Sequence, residues 1–412
     1  MILTCTSLDW TTNSSSNLIY GKMRKLFLLF LLAGAMTVGF LSCENDDTDF
    51  SAYTTVESET DYDNDKTTTG TGTDTIYIAY SGTTVTISND ARGVVAASGA
   101  DVTVSDTAST ADLVLVLSGT TPDGSLLVYR ARKFTIVLNG VSITNADGPA
   151  INNQCGKSLF MICADGTTNT LSDGTEYATQ SYDQKATLFS EGQMFFSGAG
   201  RLIVNGNCKN AIASDDYITI ESDIDILTTT AATGMNGIKV NDGMYINGGT
   251  LTVNVASNGG RGIRCKARTV ITGGDINITT TGDCLVENFA GVADTTSAAC
   301  IKSDSLFTMS GGSLTVISTG DGGKGIRCSE NIEFSGGTLV AQTTGSNDNG
   351  KPKALKSDTG ILVSGGSFTA KVNKSWACDN GTDSDEPADH LTVIGTPKES
   401  TIGKRSVIIN YE

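Results

Sequence analysis

The sequence is poor in the residues that most enzymes and helical proteins use. It has one histidine, five prolines and two tryptophans among 412 residues, and aromatic residues make up 6%. A Ser-His-Asp or Cys-His catalytic device would have to use His390, which lies among polar residues near the C-terminus and is typical of a solvated loop. Long Ala, Leu, Glu and Lys runs with helical spacing are also missing. With 47 glycines and many threonines and serines, the composition predicts strands and turns.

The charge balance excludes one class of partner. There are 45 acidic against 28 basic side chains, which gives a formal net charge of −17. Phosphate would repel so acidic a chain. We therefore expect no nucleic-acid partner.

Residues 23–43 read as an export signal. Arg24 and Lys25 precede the apolar run 26–32, and small residues lead to Cys43. Leu41-Ser42-Cys43 resembles the bacterial lipobox, in which the cysteine becomes the lipidated first residue. We expect cleavage before Cys43, lipidation at Cys43, and attachment to the outer membrane through the lipid.

The residues after Cys43 suggest where the protein is displayed. Glu44-Asn45-Asp46-Asp47 resembles the acidic tag that sends some lipoproteins to the outer face of the outer membrane. The chain then stays rich in Ser, Thr and Asp, which predicts a disordered tether. We expect a monomer that faces the cell exterior.

One short unit recurs through the second half of the chain. Glycine pairs occur at 248–249, 273–274, 311–312, 336–337 and 365–366, at intervals of 25, 38, 25 and 29 residues. A small-apolar-basic unit recurs at 237–239, 262–264, 300–302, 325–327 and 354–356 with the same intervals. Two independent markers therefore share one period.

The residues around each glycine pair alternate between apolar and polar. Ile246 and Met244 precede the first pair, for example, and Leu251 and Val253 follow it. This period of two predicts a strand on each side of the glycine corner, and the small-apolar-basic unit supplies a third strand. Strands this short bury a core only by stacking.

The sequence therefore predicts an all-β fold, a single-stranded right-handed parallel β-helix with three short strands per coil of about 25 residues. The predicted segments are an upstream extension (1–22), a signal peptide (23–42), a tether (43–74), an N-terminal β region that caps the helix (75–130), the β-helix (131–385) and a C-terminal cap (386–412).

The repeat also predicts a charged surface. If the apolar residue of each small-apolar-basic unit points inward, the next residue points outward, and these residues form what we call the basic column: Lys239, Arg264, Lys302, Arg327 and Lys356. Coils lie about 4.8 Å apart, so neighbouring cations repel by about 1 kcal/mol even in water. The column therefore needs anionic partners.

Two interpretations of these partners are open. Acidic residues follow three or four positions after the inward residue, and the candidates for calcium ligands among them are Asp215, Asp216, Asp242, Asp304 and Asp358. The surface could be self-neutralising. Alternatively, the basic column binds the carboxylates of a uronic-acid polymer while the aspartates hold Ca²⁺, which prefers oxygen ligands.

Several stretches of the chain carry a family resemblance, namely residues 115–120, 135–141, 164–174, 186–190 and 206–216. They resemble the secreted carbohydrate-binding β-helix family of polysaccharide-lyase-like, carbohydrate-binding domain-containing proteins. The resemblance implies a right-handed β-helix that carries calcium and binds cell-wall polysaccharides. One departure is that the acidic pair Asp215-Asp216 becomes Lys266-Ala267 and Asp304-Ser305 in later coils.

We therefore predict a calcium-assisted binder of acidic or cell-wall polysaccharide. The alternatives are a calcium-dependent lyase of pectic polymers, with a base among Arg264, Lys302 and Arg327, and a structural or adhesive surface protein. No one of those cations differs from its neighbours, so we assign no catalytic residue.

The cysteines are expected to be buried thiols. Cys265 and Cys328 follow inward residues two coils apart, about 9.6 Å, which is too far for a disulfide.

Overall fold

A computed structural model describes residues 74–109, 111–289 and 292–412. The predicted signal peptide, Cys43 and most of the predicted tether lie outside these residues. Within the described part the structure is built from strands, and its one helix is a 3₁₀ turn, Pro387–His390. No helix in this part is long and apolar enough to cross a membrane.

The strands follow one another with short connections. The first part of the chain contains β1 (Asp74–Ser81), β2 (Thr84–Ser88), β3 (Val95–Ser98), β4 (Asp101–Asp106), β5 (Leu113–Thr121), β6 (Ser125–Arg130), β7 (Phe134–Asn145), β8 (Ile151–Asn153), β9 (Leu159–Cys163) and β10 (Thr168–Asp173). The middle contains β11 (Ala186–Ser190), β12 (Met194–Ser197), β13 (Arg201–Gly206), β14 (Asn210–Ser214), β15 (Tyr217–Ile220), β16 (Asp225–Thr230), β17 (Ile238–Val240), β18 (Gly243–Ile246), β19 (Thr250–Val255), β20 (Arg261–Cys265), β21 (Arg268–Ile271) and β22 (Asp275–Thr280). The last part contains β23 (Leu285–Phe289), β24 (Val292–Thr296), β25 (Ala299–Ser303), β26 (Phe307–Met309), β27 (Ser313–Ser318), β28 (Lys324–Cys328), β29 (Ile332–Phe334), β30 (Thr338–Thr343), β31 (Lys353–Ser357), β32 (Ile361–Val363), β33 (Ser367–Val372), β34 (Cys378–Asp379), β35 (Thr392–Val393), β36 (Glu399–Ile402) and β37 (Ser406–Asn410).

Parallel pairing of every third strand makes a β-helix. Twelve strands form sheet A, in the order β3-β4-β6-β8-β11-β14-β17-β20-β25-β28-β31-β34. A 23-stranded sheet makes the other two sides of each coil: sheet B, which includes β9-β12-β15-β18-β21-β26-β29-β32, and sheet C, which includes β10-β13-β16-β19-β22-β27-β30-β33. The result is about 11 turns of roughly 25 residues each, and the predicted parallel β-helix is confirmed.

The alternating residues that the sequence assigned to the core are buried. Ile246, Leu251 and Val253 each expose none of their surface, and the equivalent positions of later coils stack above them in one continuous core. Burial of these columns is the main stabilising term, because a single coil cannot hide its own apolar face.

Glycines serve two purposes in the coils. The second glycine of each predicted pair has positive φ, for example 72° at Gly249 and 94° at Gly274, which L-residues adopt only with strain. Gly262 serves differently, because a Cβ atom there would collide with the side chain of Ile278 inside the core. Its neighbour Ile263 can therefore fill the centre of the coil.

Antiparallel strands close the two ends. β1 pairs with β2 and β3 with β4 at one end, while β37 pairs with β33 and β36 at the other. Parallel coils already begin upstream of residue 131, since β1 pairs in parallel with β5 and β4 with β6. An end strand would otherwise expose unpaired N–H and C=O groups.

The eight cysteines of the described residues are all buried, and none of them forms a disulfide. Ser303 stands between Cys265 and Cys328 in the register of sheet A, so these two thiols are two coils apart as predicted. Burial raises the pKa of the Cys265 thiol to about 12, which keeps it protonated and unreactive.

Candidate functional site

The basic column exists at the level of the backbone. Lys239 pairs with Arg264, Arg264 with Lys302, Lys302 with Arg327, and Arg327 with Lys356 in five successive strands of sheet A. Each cation follows a buried apolar residue, so all five side chains start from the outer side of the sheet. The predicted register is confirmed.

The five cations differ in exposure, which the sequence analysis did not anticipate. Lys239 is 8% and Arg264 6% exposed, so both are buried although they start on the outer side. Lys302, Arg327 and Lys356 are partly exposed. We call these three the accessible segment of the column.

Part of the repulsion within the column is offset by carboxylates at the neighbouring corner. The Arg264 Nη2 atom lies 2.6 Å from Asp304 Oδ2, and Lys356 Nζ lies 3.5 Å from Asp358 Oδ1. Arg327, in the middle of the accessible segment, has no carboxylate within 4.0 Å among the described residues. The self-neutralising interpretation therefore accounts for Arg264 and Lys356 but not for Arg327.

The predicted calcium ligands are spread along this corner. Asp304 and Asp358 are bound to the column's own cations, and Asp216 Oδ1 accepts a hydrogen bond from the Tyr217 backbone N–H at 2.9 Å. Asp242 is exposed on a turn in the coil that follows Asp216. These carboxylates do not converge on one point, and their role as calcium ligands stays a prediction.

Within the described residues, three acidic side chains do converge: Asp183, Glu191 and Asp215 have ligand oxygens within 4.8 Å of one another. Only Asp215 was predicted. The Lys185 ammonium lies 2.7 Å from Asp183 and 2.6 Å from Asp215. Burial lowers the pKa of Lys185, but its hydrogen bonds to both aspartates outweigh this and raise the pKa above its ordinary value. The donor set suits calcium chemically, yet the Lys185 ammonium already offsets part of its negative charge.

Upstream of Lys239 the same outward column becomes apolar. Ala213 and Phe189 occupy the next two positions, and with Ala186 they form a small cluster separate from the main core. Lys185 Nζ lies 5.5 Å from the Phe189 ring centroid, and Phe189 is fully buried. The loop that ends at Lys185 therefore covers this end of the column.

Downstream of Lys356 the column ends in an acid. Asp379 is the register partner of Lys356, and its Oδ2 atom accepts a hydrogen bond from Lys353 Nζ at 2.5 Å. Burial raises the pKa of Asp379, but its hydrogen bond with Lys353 outweighs this, so the net pKa is lowered and the group stays charged.

A buried lysine holds in place the insertion that lengthens one coil from 25 to 38 residues. Lys324 Nζ donates to the oxygens of Ser297 at 3.2 Å, Gly322 at 2.6 Å and Lys351 at 2.8 Å. Ser297 directly follows the hairpin β23–β24, which is the extra segment of the long coil. Lys324 thus ties the base of the hairpin to two neighbouring turns.

We predict a pH-dependent contribution from Lys324. Burial lowers its pKa from 10.5 to about 8. Between these values the unfolded chain binds a proton that the folded chain has released, so the free energy of unfolding from this group rises with pH. Between about pH 7.5 and about pH 9.5, the stability of the parent minus that of Lys324→Gln should grow by about 2 kcal/mol in urea titrations. Lys371→Gln, at an exposed site, should show no such growth. A constant difference for Lys324→Gln would contradict the prediction.

The structure also contains an aromatic row that sequence reasoning missed. Phe160 and Phe195 stack with centroids 5.0 Å apart on the outer side of sheet B, and Tyr217 and Tyr245 continue the row edge-on. Phe195 is 4% and Tyr217 6% exposed. The two inner rings are covered by their neighbours and the two end rings, Phe160 and Tyr245, are only partly exposed, so the row presents little open ring face to a sugar.

The expectation for His390 was wrong. It is 2% exposed, its Nε2 atom lies 2.9 Å from the Ser384 carbonyl oxygen, and its ring stacks on Trp376 at 4.1 Å. Lys404 Nζ lies 4.2 Å from the Trp376 ring centroid. These groups pack the C-terminal cap and lie apart from the basic column in sequence and in sheet register.

Comparison with known proteins agrees with this architecture. A solved structure titled as the polysaccharide lyase-like protein from C. thermocellum, a gadolinium derivative, superposes with a TM-score of 0.51, covering 63% of this chain and 97% of that one at 22% identity. This likeness shows the fold. A curated carbohydrate-binding domain-containing protein of Acetivibrio thermocellus is 32% identical over 108 residues.

The match to that relative covers 25% of this chain and 38% of the relative's length. A family model described as carbohydrate-binding domain-containing protein matches residues 98–266 and 254–350. These ranges together span more than half of the chain, so the protein belongs to the carbohydrate-binding domain-containing protein family.

Proposed function

We propose that the protein binds an acidic polysaccharide, of the uronic-acid class, along the accessible segment of the basic column on sheet A. The observation that carries the proposal is the alignment of the column's cations on successive coils, with Lys302, Arg327 and Lys356 partly exposed on three consecutive coils. A solenoid repeats its outer surface about every 4.8 Å, and a uronic-acid polymer likewise carries its carboxylates at regular intervals. A repeating surface can therefore make the same contact several times with one chain.

The identity of the column's residues favours carboxylates as the ligand groups. Arg327 presents a planar guanidinium that can hold a carboxylate through two parallel hydrogen bonds, and Lys302 and Lys356 present point charges on either side. The net charge of −17 argues against unselective attraction of anions, since the acidic remainder of the surface repels them. Neutral sugars would depend more on open aromatic faces, which the row on sheet B hardly offers.

Binding to polygalacturonate tests the proposal. Replacing both Lys302 and Arg327 with Gln removes two contacts that each contribute up to about 1 kcal/mol, so we expect the affinity to fall by about 10- to 30-fold. The matched control replaces Lys371 and Lys398, two exposed lysines outside the column, and should change affinity by less than about twofold. Calorimetric titration of both variants and the parent provides the comparison, and thermal melts establish that all three are folded.

Salt provides a second readout of the same binding. Contacts between partly exposed charges weaken as the Debye length shortens from about 10 Å at 0.1 M salt to about 3 Å at 1 M. The affinity of the parent should therefore fall as salt rises, and the double variant should depend less on salt. Equal affinity of parent and double variant would contradict the proposal.

We propose that calcium assists this binding at the acidic corner beside the column. Carboxylates of the protein and the polymer together can supply the oxygen ligands that Ca²⁺ prefers at this corner, where Asp304 and Asp358 do not converge with each other. Millimolar calcium should then raise the affinity for polygalacturonate, while the thermal midpoint of the protein without polymer should change little. Identical titrations with calcium and with a chelator would contradict a role for calcium.

We propose that the protein is a lipoprotein displayed on the outer membrane. The support is the lipobox-like Leu41-Ser42-Cys43, which lies outside the described residues. Cys43→Ala should release the protein from the membrane fraction or leave an uncleaved precursor, since acyl chains provide the membrane affinity. Cell fractionation with immunodetection measures this, and unchanged membrane retention of the variant would contradict it.

A further inference from the structure

Only part of the basic column is exposed to a ligand. Lys239 and Arg264 are nearly buried, whereas Lys302, Arg327 and Lys356 are partly exposed. The accessible segment therefore covers three consecutive coils. Its first and third cations are two coil spacings apart, about 9.6 Å.

Arg264 closes the upstream end of the accessible segment. Its side chain is 7% exposed, with Nη2 bound to Asp304 at 2.6 Å and Nη1 donating to the Cys265 carbonyl oxygen at 2.9 Å. A ligand carboxylate could reach this guanidinium only by displacing Asp304. Displacement would leave Asp304 without its cation next to an incoming anion, which is unfavourable.

Asp379 closes the downstream end. It takes the column position after Lys356, and its carboxylate is held by Lys353, which is 4% exposed. A polymer that continued past Lys356 would bring its next carboxylate against a fixed negative charge one coil spacing away. At about 4.8 Å two like charges repel by about 1 kcal/mol in water and by more near a protein surface.

We infer that the column recognises a short anionic segment, a run of three consecutive uronic-acid residues with free carboxylates, and not an indefinite length of polymer. The inference rests on the proposed function and specifies what the same site takes. Arg327 contributes most, because it stands in the middle and has no carboxylate of the protein within 4.0 Å among the described residues. Esterification of the central uronate therefore removes the strongest contact.

Galacturonate oligomers of defined length, from dimer to hexamer, test the inference by calorimetric titration at low salt. The trimer should bind about fivefold tighter than the dimer, because it gains one more ion pair worth up to about 1 kcal/mol. From trimer to hexamer the affinity should change by less than about twofold. A trimer methyl-esterified at its central residue should bind about fivefold more weakly than the free trimer.

Variants test whether the three partly exposed cations are the reason that the affinity stops rising beyond the trimer. Arg327→Gln should lower the affinity for trimer and hexamer alike by about fivefold, and the control Lys371→Gln should leave both unchanged. Lys239→Gln should leave the affinities for trimer and hexamer unchanged, because Lys239 is buried and lies outside the accessible segment. If this variant does not fold, the length series on the parent protein decides alone.

The outcomes separate the two claims. Affinity that keeps rising several-fold with each residue up to the hexamer would overturn the three-residue segment while leaving acidic-polysaccharide binding intact. Absence of binding by the hexamer and by polygalacturonate would overturn the proposed function.

Discussion

Replacing Asp106 with alanine is expected to lower the free energy of unfolding by about 3–5 kcal/mol. Asp106 and Arg130 are register partners at the ends of β4 and β6, and their side chains are 2% and 0% exposed. The guanidinium also donates to the carbonyl oxygen of Ala111 at 2.5 Å. Removing Asp106 leaves the buried Arg130 guanidinium without its counter-charge and also breaks the 2.7 Å ion pair of Asp106 with Arg92. This is more damaging than losing one exposed ion pair. Urea denaturation followed by circular dichroism measures the change.

Two variants separate this effect from a general weakening of the N-terminal end. Asp74→Asn breaks only the outer part of this network, the ion pair of Asp74 with Arg92, in which the side chains are 30% and 26% exposed. Arg92 keeps its second partner, Asp106, so stability should fall by less than about 1 kcal/mol. Asp106→Leu combined with Arg130→Met replaces the buried pair with apolar groups and should recover most of the loss. If Asp106→Ala lowered the free energy of unfolding no more than Asp74→Asn does, the buried pair would not be a main source of the protein's stability.

Replacing Phe307 with alanine is expected to lower the free energy of unfolding by about 3–5 kcal/mol. Phe307 exposes none of its surface and stacks between Thr269 and Ile332 in successive coils of sheet B. Truncation removes the buried ring and leaves a cavity that the neighbouring coils can fill only in part.

The adjacent residue provides the control. Thr308 lies on the same strand with its side chain on the outer side, partly exposed. Thr308→Ala should change stability by less than about 0.5 kcal/mol. Comparable losses for Phe307→Ala and Thr308→Ala would contradict the assignment of inward and outward positions.

The fold could be predicted because its information is local and repeated. Gly249 and its equivalents mark the corners, and residues such as Ile246 and Leu251 mark the strand faces by a simple period of two. The upstream coils were harder to see, since β5 and β7 are longer and bend round a corner with a bulge between Leu117 and Gly119. That irregularity obscures the period, so the sequence predicts a cap at 75–130 where the chain already forms parallel coils.

The site was predicted only in its register. The order Lys239, Arg264, Lys302, Arg327, Lys356 follows from the spacing, but the burial of Lys239 and Arg264 depends on neighbouring corners that spacing does not describe. The convergence of Asp183 and Glu191 on Asp215 depends on a loop from the preceding coil. Such contacts arise between distant residues, so a periodic pattern contains no signal for them.

The buried Asp106–Arg130 pair, which the sequence analysis does not predict, does have a signal in the sequence. Asp106 continues the inward alternation of Val102 and Val104, and Arg130 continues that of Leu126 and Val128. Opposite charges at equivalent inward positions of two strands are typical of a buried pair, because neither charge would be tolerated alone. The same test applied to other inward charges in a solenoid would find such pairs from sequence.

The most direct test of polysaccharide binding on sheet A is lysine footprinting by acylation, with and without saturating polygalacturonate. Lys302 and Lys356 lie in the accessible segment, whereas Lys371 and Lys398 are exposed elsewhere. We expect bound polymer to slow acylation of Lys302 and Lys356 by several-fold and to leave Lys371 and Lys398 unchanged. Protection of Lys371 and Lys398 with Lys302 and Lys356 still reactive would show that the polymer binds another surface and would contradict the assignment.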